Sequence, residues 1–250
     1  MYSELTARLR AGQAAILATT IRGPRPGAKL LVPATGDTIG SIDPAIDAAI
    51  AADGRAMLAA GRSELREYAT PAGDWAVFVQ SFPPPPRLVI VGAVHTAIPL
   101  HRLAKQLGYY VAVVDARGAL ATAERFPEAD WVLTEWPDDA LRLLHIDSST
   151  AVVVLTHDPK FDEPALIEAL TTDAVYIGAI GSRGTHESRL ESLRAQGVTE
   201  EQIARIHAPI GLDIGGKTPA EIALAILAEV IAVRYNRSGG MMRDRAPAPA

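Results

Sequence analysis

Beyond residue 86 the apolar positions come in short unbroken runs: "RLVIVG" (87–92), "YYVAVVDA" (109–116), "AVVVLTH" (151–157) and "AVYIGAIG" (174–181). Stretches with helical spacing separate them. Strands that are apolar on both sides and alternate with helices predict a parallel sheet covered on both faces, a Rossmann-like doubly wound α/β arrangement. Helices are expected up to Gly108, over 138–145, from about 163 to 171, and twice more after residue 181, with "FPEADWVL" (126–133) reading as loop. Thr199 to Gln202 and Thr218 to Glu221 are capping boxes, the second with Pro219 at the first helical position. The helix begun at Pro219 carries Ile222, Ile226, Leu227, Val230 and Val233, a 3.6-period stripe that must pack on a core.

The pattern before residue 83 is different. Residues 3–13 have helical spacing, "AAILATTI" (14–21) and "AKLLVP" (28–33) read as strands, "PAIDAAIAADGRAMLAAG" (44–61) as an alanine-rich helix, and "DWAVFVQSF" (74–82) alternates as a strand should. These make a smaller N-terminal α+β domain over 1–82. Pro83 to Pro86 can join neither a helix nor a central strand and favour stiff polyproline II, so they predict a linker. The second domain then runs over 87–237, and the tail from Ser238, without periodicity, is expected to be disordered.

Composition narrows the function. At 250 residues, 48% hydrophobic and 21% charged, the chain suits a globular protein of one or two domains. A net charge of −5 and a pI near 5.7 leave no general basic surface for a polymer of phosphates, which argues against nucleic acid but not against small anions. The absence of cysteine removes disulfides, thiolate metal sites and thiol catalysis together. No apolar run reaches the roughly 18 residues of a membrane helix and no charged-then-apolar leader opens the chain, so the expected address is the cytoplasm.

The candidate chemistry lies where the apolar runs end. "GAVHTA" (92–97) has the outline of a dinucleotide loop, with Gly92 at the tight turn and Ala97 where helix and strand must pack closely. Val94 stands where bare backbone should meet the pyrophosphate, and His95 is placed to contact a phosphate. Asp115 ends the next run, at the separation of roughly 20 residues from which a carboxylate takes ribose hydroxyls. Thr156, His157 and Asp158 end the third run, with Asp162 one helical turn on; these residues suit a polar network or a helix cap better than a metal site. Gly181, Ser182 and Arg183 bring a backbone, a hydroxyl and a guanidinium to a helix start, a candidate phosphate cradle. His207 to Gly216 mixes Pro209 with Gly211, Gly215 and Gly216 around a single charge, Asp213, the composition of a tightly turned functional loop. His101, His145 and His186 read as surface residues.

The stretches "GAVHTA", "VVDAR" (113–117), "RFPEAD" (125–130), "LTHDPKFDEPAL" (155–166), "YIGAIGSR" (176–183) and "RIHAPIGLDIGGKTPAEIALAILAEVIA" (205–232), taken in order, resemble the XdhC/CoxI family. These are accessory proteins of xanthine dehydrogenase and carbon monoxide dehydrogenase. "PGAKLLV" (26–32) and "TIGSI" (38–42) extend the resemblance more thinly into the first domain. It implies a chaperone rather than an enzyme: a homodimer that binds molybdenum cofactor (molybdopterin), hands it to a molybdenum hydroxylase and works beside a cysteine desulfurase. It also places His95 in the ligand loop.

The chain departs from the family after "GSI". Asp43, Pro44 and Ala45 stand where the family has three glycines, and Ile46 where it has a cysteine. Asp43 is expected to cap the following helix, placing a carboxylate where an anion would bind, and no thiol is available for a sulfur relay. Two readings follow. One keeps the maturation function, with the ligand held chiefly by Gly181, Ser182, Arg183 and the 207–216 loop. The other makes the chain a divergent relative, either a dehydrogenase-like protein that binds NAD(P) or another nucleotide through Asp115, or an interaction module without a ligand. A hydride-transfer enzyme lacks an evident general base.

Overall fold

The computed structural model describes residues 1–71 and 73–244, and divides into two compact units, Met1–Pro85 and Pro86–Ala250. Residues 245–250 of the expected tail lie outside the described residues; Ser238 to Asp244 end in a short 3-10 turn, Met242–Asp244.

The first unit holds α1 (Tyr2–Arg10), β1 (Ala15–Arg22), β2 (Lys29–Pro33), β3 (Ile39–Gly40), α2 (Asp47–Ala59), β4 (Glu64–Thr70) and β5 (Gly73–Phe82). The strands form an antiparallel sheet in the order β3-β2-β1-β5-β4. Ile16, Ala18, Leu30, Val32, Val77 and Val79 on one face pack with Ile50 and Met57 of α2, and Ala15, Leu17 and Leu31 on the other meet Leu5 of α1. β4 is a strand that hydrophobic spacing does not announce, because "ELREYAT" lies at the sheet edge with most side chains in water.

The turn before α2 corrects the expected cap. The helix starts at Asp47, with Ile46 rather than Asp43 at its N-cap. The Asp43 carboxylate accepts from Ala45 N and its carbonyl from Ile46 N and Asp47 N, while the Asp47 carboxylate accepts from Ile42 N at 2.9 Å, Asp43 N at 3.1 Å and Ser41 Oγ at 2.6 Å. Pro44 and the Asp43 turn hold the chain outside the helix for three further residues. An internal carboxylate does fill the anion position, but it is Asp47.

The second unit runs β6 (Arg87–Val91), α3 (Ala97–Gln106), β7 (Tyr110–Val114), β8 (Trp131–Leu133), α4 (Pro137–Leu144), β9 (Thr150–Val154), α5 (Pro159–Leu170), β10 (Tyr176–Ala179), α6 (Arg183–Ala195), α7 (Glu200–Ile203), β11 (Ile206–His207) and α8 (Pro219–Arg234). The six strands are parallel, in the order β11-β10-β9-β6-β7-β8. One face packs Leu88, Ile90, Val111, Val113, Val153 and Tyr176 with α3 and α8; the other packs Val89, Val91, Val114, Val152, Val154 and Ile177 with α4, α5 and α6. This is the doubly wound α/β arrangement that the alternating runs predict. Strand order reverses between β6 and β9, so ligand chemistry belongs outside the carboxyl ends of these strands.

Four elements differ from expectation, one of them β11, which takes His207 out of the expected loop into a short strand beside β10. Trp131–Leu133 pairs in parallel with β7 rather than forming loop, a strand too short to show a period. α5 begins at Pro159 because Asp158 caps it, Asp158 Oδ1 accepting from Lys160 N at 3.0 Å, and the helix runs on through Pro164. Three helices rather than two follow β10, since α6 and α7 are separate. Both capping boxes form, at Thr199 with Gln202 and at Thr218 with Glu221, and Ile226, Leu227 and Val230 of α8 are buried in the core.

Candidate functional site at the carboxyl ends of the parallel strands

The Gly92 turn is fixed by close contact between strands. Gly92 has φ +105°, and a Cβ there would lie 2.6 Å from Thr156 Cγ2 and 3.0 Å from Thr156 N, so β6 and β9 approach too closely for any other residue. The start of α3 is largely self-satisfied. Ala97 N donates to Val94 O at 3.0 Å, Ile98 N to His95 O at 3.3 Å, and Pro99 has no N–H to give. These two donors of the helix start are therefore not free for an anion. Val94 packs partly into the core and His95 is exposed beside it.

Asp115 is buried and engaged by the protein. Its Oδ2 accepts from Ala93 N at 2.8 Å and from Arg117 Nη2 at 2.8 Å, and its Oδ1 from Arg117 N at 3.0 Å and Nε at 2.8 Å. Burial pushes its pKa up, but the hydrogen bonds from Arg117 and Ala93 outweigh that and hold the carboxyl below the usual carboxylate value. A ribose would have to displace these donors. Asp115 in this structure ties the Gly92 turn to the end of β7.

The ends of β9 and β10 form a second cluster. Thr156 is buried and its hydroxyl donates in a short bond to Asp162 Oδ1, while Asp162 Oδ2 accepts from Arg189 Nη2 at 3.0 Å. Arg189 Nη2 also donates to Ile180 O at 2.9 Å, and Arg189 Nη1 is buried with no hydrogen-bond partner. Burial raises the Asp162 pKa in spite of the Thr156 hydroxyl and the Arg189 charge. His157, exposed, lines a cavity of about 250 Å³ together with Pro159, Asp162, Glu163, Thr185, Ser188 and Arg189.

Gly181, Ser182 and Arg183 open α6 beside this cavity. Ser182 is the N-cap, its Oγ accepting from Thr185 N at 3.1 Å and bonding Thr185 Oγ1 at 2.9 Å. Arg183 is exposed at the first position of the helix. The buried arginine is therefore Arg189, nearly two turns further on. No signal in the sequence marks it, because α6 is a polar helix with little apolar periodicity.

The 207–216 loop is organised from α8. Glu229 Oε2 accepts from Tyr176 Oη at 2.5 Å and from Gly211 N at 2.7 Å, and Oε1 lies 3.3 Å from His207 Nδ1. The His207 ring stacks on Tyr176 with centroids 4.6 Å apart. Burial pushes the Glu229 carboxyl up, and the His207, Tyr176 and Gly211 contacts bring it below its usual value; burial and then Glu229 push the Tyr176 phenol far upward. Asp213 is exposed on the loop.

Two further observations lie outside the expected set. His101 is buried, not superficial; its ring meets Phe126 edge-on with centroids 5.1 Å apart, and burial lowers its pKa. It follows the buried stripe of α3 with Ala97, Leu100 and Ala104, which its polarity disguised. Trp136 and Phe161 come within 5.5 Å, with Lys160 Nζ 5.0 Å over the Trp136 ring and Arg117 Cζ 5.5 Å over Phe161.

Residues 88–230 match the model of the XdhC Rossmann domain and residues 8–69 that of the XdhC and CoxI family. The chain belongs to the XdhC/CoxI family. Similar proteins include the uncharacterized YqeB of Escherichia coli K12 (36% identical over 171 residues; 68% of this chain, 31% of that protein). A Bacillus subtilis 168 protein named as a probable subunit of xanthine dehydrogenase is 32% identical over 158 residues, 63% of this chain and 46% of that one. The E. coli K12 molybdenum cofactor insertion chaperone PaoD is 32% identical over 160 residues, 64% of this chain and 44% of PaoD. The matched region thus spans less than half the length of each of these XdhC/CoxI relatives. A crystal structure described as a xanthine dehydrogenase from Bacillus halodurans shares the fold, with a TM-score of 0.57 at 20% identity, over 94% of this chain and 96% of that one. Among the described residues, no helix is long and apolar enough to cross a membrane, and no three His, Cys, Asp or Glu side chains are grouped to hold a metal ion.

Proposed function

We propose that this XdhC/CoxI protein is a maturation factor for a molybdenum hydroxylase of the xanthine dehydrogenase type: it binds molybdenum cofactor as cargo and delivers it to the apoenzyme. The observation that carries the reading is that the turns after β9, β10 and β11, which belong to the matched XdhC Rossmann domain, all leave the carboxyl end of one parallel sheet. The names of two relatives, one a cofactor insertion chaperone and the other a component of xanthine dehydrogenase, support the same role. In this reading His157, Gly181, Ser182, Arg183 and the His207, Gly211 and Asp213 loop form the ligand-facing surface, with buried Thr156 holding Asp162 beneath it. Gly92, Asp115 and Asp158 shape the loops around it, and His95 stands at its edge. A hydroxylase accepts the cargo, a cysteine desulfurase works beside the chaperone, and the chain acts as a cytoplasmic homodimer. No catalytic step is assigned to it.

The nucleotide reading is disfavoured by the engaged Asp115 and by the α3 N-terminus, where the Val94 and His95 carbonyls take the Ala97 and Ile98 donors. The test is thermal unfolding of the purified chain with molybdenum cofactor, NAD(H), NADP(H) and ATP added separately. A ligand held only by the folded state at about 100 times its Kd stabilises by ~2.7 kcal/mol. The pterin cofactor alone is expected to raise the Tm; a rise with a dinucleotide alone overturns the proposal.

A further inference from the structure

We infer that Glu229 of α8 is a positioning residue: it fixes His207 in one tautomer, so that the ring offers Nε2 at the end of β11 as an acceptor for a ligand N–H group. Glu229 Oε1 lies 3.3 Å from His207 Nδ1, and Oε2 accepts from Tyr176 Oη at 2.5 Å and from Gly211 N at 2.7 Å. Two donors on one oxygen leave the other for the ring. Burial raises the Glu229 pKa, but the His207, Tyr176 and Gly211 contacts outweigh that and bring it below the usual value. The carboxyl is therefore ionised at neutral pH and can only accept. The ring nitrogen that faces it carries the proton, and in the neutral ring the opposite nitrogen is a bare acceptor.

The Nε2 side is open. It makes no hydrogen bond among the described residues, and 33% of the His207 side chain is exposed. The orientation of the ring is fixed along with its tautomer. It stacks on Tyr176 with centroids 4.6 Å and planes 25° apart. Gly178 leaves room for that stack, since a Cβ there would stand 2.6 Å from Tyr176 Oη and Cε1, and Gly178 is also the register partner of His207 between β10 and β11. Strand pairing, stacking and a carboxylate thus hold one imidazole, whereas a tether for the loop needs only the Gly211 bond. The place is the carboxyl end of the sheet, where β10 leads to the Gly181 turn and β11 to the glycine loop. The ligand that fits is a flat heterocycle with N–H donors on its edge, the character of a pterin's pyrimidinone ring. The tautomer stands on the geometry alone; naming the pterin of the cargo as the donor rests on the maturation reading.

The test joins NMR of the full chain labelled with ¹⁵N-histidine to titration with molybdenum cofactor. The free chain should show His207 as the Nδ1–H tautomer, and cofactor should move its Nε2 resonance, the signature of an accepted hydrogen bond. Glu229→Gln, whose amide can accept or donate, should let the Nε2–H tautomer appear. His207→Phe, which keeps a ring on Tyr176 but no acceptor, should weaken cofactor binding about tenfold, and His207→Gln, which keeps a side-chain oxygen, should stay within about threefold of the parent chain. Amide exchange at Gly211 that matches the parent separates a lost ligand contact from a loosened loop. An Nε2–H tautomer in the free parent chain overturns the inference, as does an Nε2 resonance unmoved at saturating cofactor; these two readings decide if His207→Phe fails to fold. Parent-like cofactor binding by folded His207→Phe discards the inference and leaves the maturation reading standing. Absence of cofactor binding by the parent chain overturns both.

Discussion

At the scale of single residues, the groups at the sheet end divide into those that hold the loops and those left to meet a ligand. Asp115 belongs to the first group. Asp115→Asn should cost ~1–3 kcal/mol in urea unfolding, because a buried acceptor of four protein N–H donors loses its charge. Its folded pKa is lowered, so the stability it contributes is present above the ordinary carboxylate value of about 4 and is lost as pH falls through the lower folded value. The variant should therefore show a flatter acid limb of stability against pH than the parent chain. Asp162 has the opposite sign: its folded pKa is raised, so its contribution falls as pH rises from the ordinary carboxylate value through the raised one. Arg189→Leu leaves that carboxylate buried and unpaired and should cost ~3–5 kcal/mol by denaturant midpoint. A loss below about 1 kcal/mol would mean that water already reaches the pair. Gly92, His157 and Ser182 could be picked out of the sequence because they end apolar runs. Arg189 could not, because nothing in a polar helix distinguishes the one arginine that turns inward.

At the scale of elements, legibility followed burial on two sides. β6, β7, β9 and β10 are apolar throughout because helices cover both faces of the sheet, so their existence and order could be read directly. β4 and β8 lie at sheet edges, where half-exposed or very short pairing leaves no period. α8 was the most legible helix, with a capping box, a proline at its first turn and a buried stripe. Thr218→Ala should cost ~1 kcal/mol, read as a shift in denaturant midpoint without a change of slope. The same helix carries Glu229, which three groups from β10, β11 and the following loop address. Glu229→Gln should loosen residues 207–211 specifically, seen as faster amide exchange at Gly211, with α3 unaffected; uniform exchange changes would contradict a local tether.

At the scale of the whole molecule, the chain combines a small antiparallel unit and a doubly wound unit, with a proline run at the boundary. Two turns at helix starts are occupied by the chain's own groups: the Asp47 carboxylate accepts from Ile42 N and Asp43 N before α2, and the Val94 and His95 carbonyls take the Ala97 and Ile98 donors of α3. The open polar surface is instead at β9, β10 and the loop after β11. The sequence revealed the substitutions at 43–46 and at Val94, but not that Asp47, four residues beyond Asp43, would supply the carboxylate, since that depends on how far the turn delays the helix. The central claim is that this XdhC/CoxI chain carries molybdenum cofactor to a hydroxylase. The most direct measurement loads the purified chain with cofactor, mixes it with cofactor-free molybdenum hydroxylase from the same cells, and counts molybdenum per hydroxylase against free cofactor at equal concentration. The account predicts higher occupancy from the loaded chain; equal or lower occupancy would contradict it.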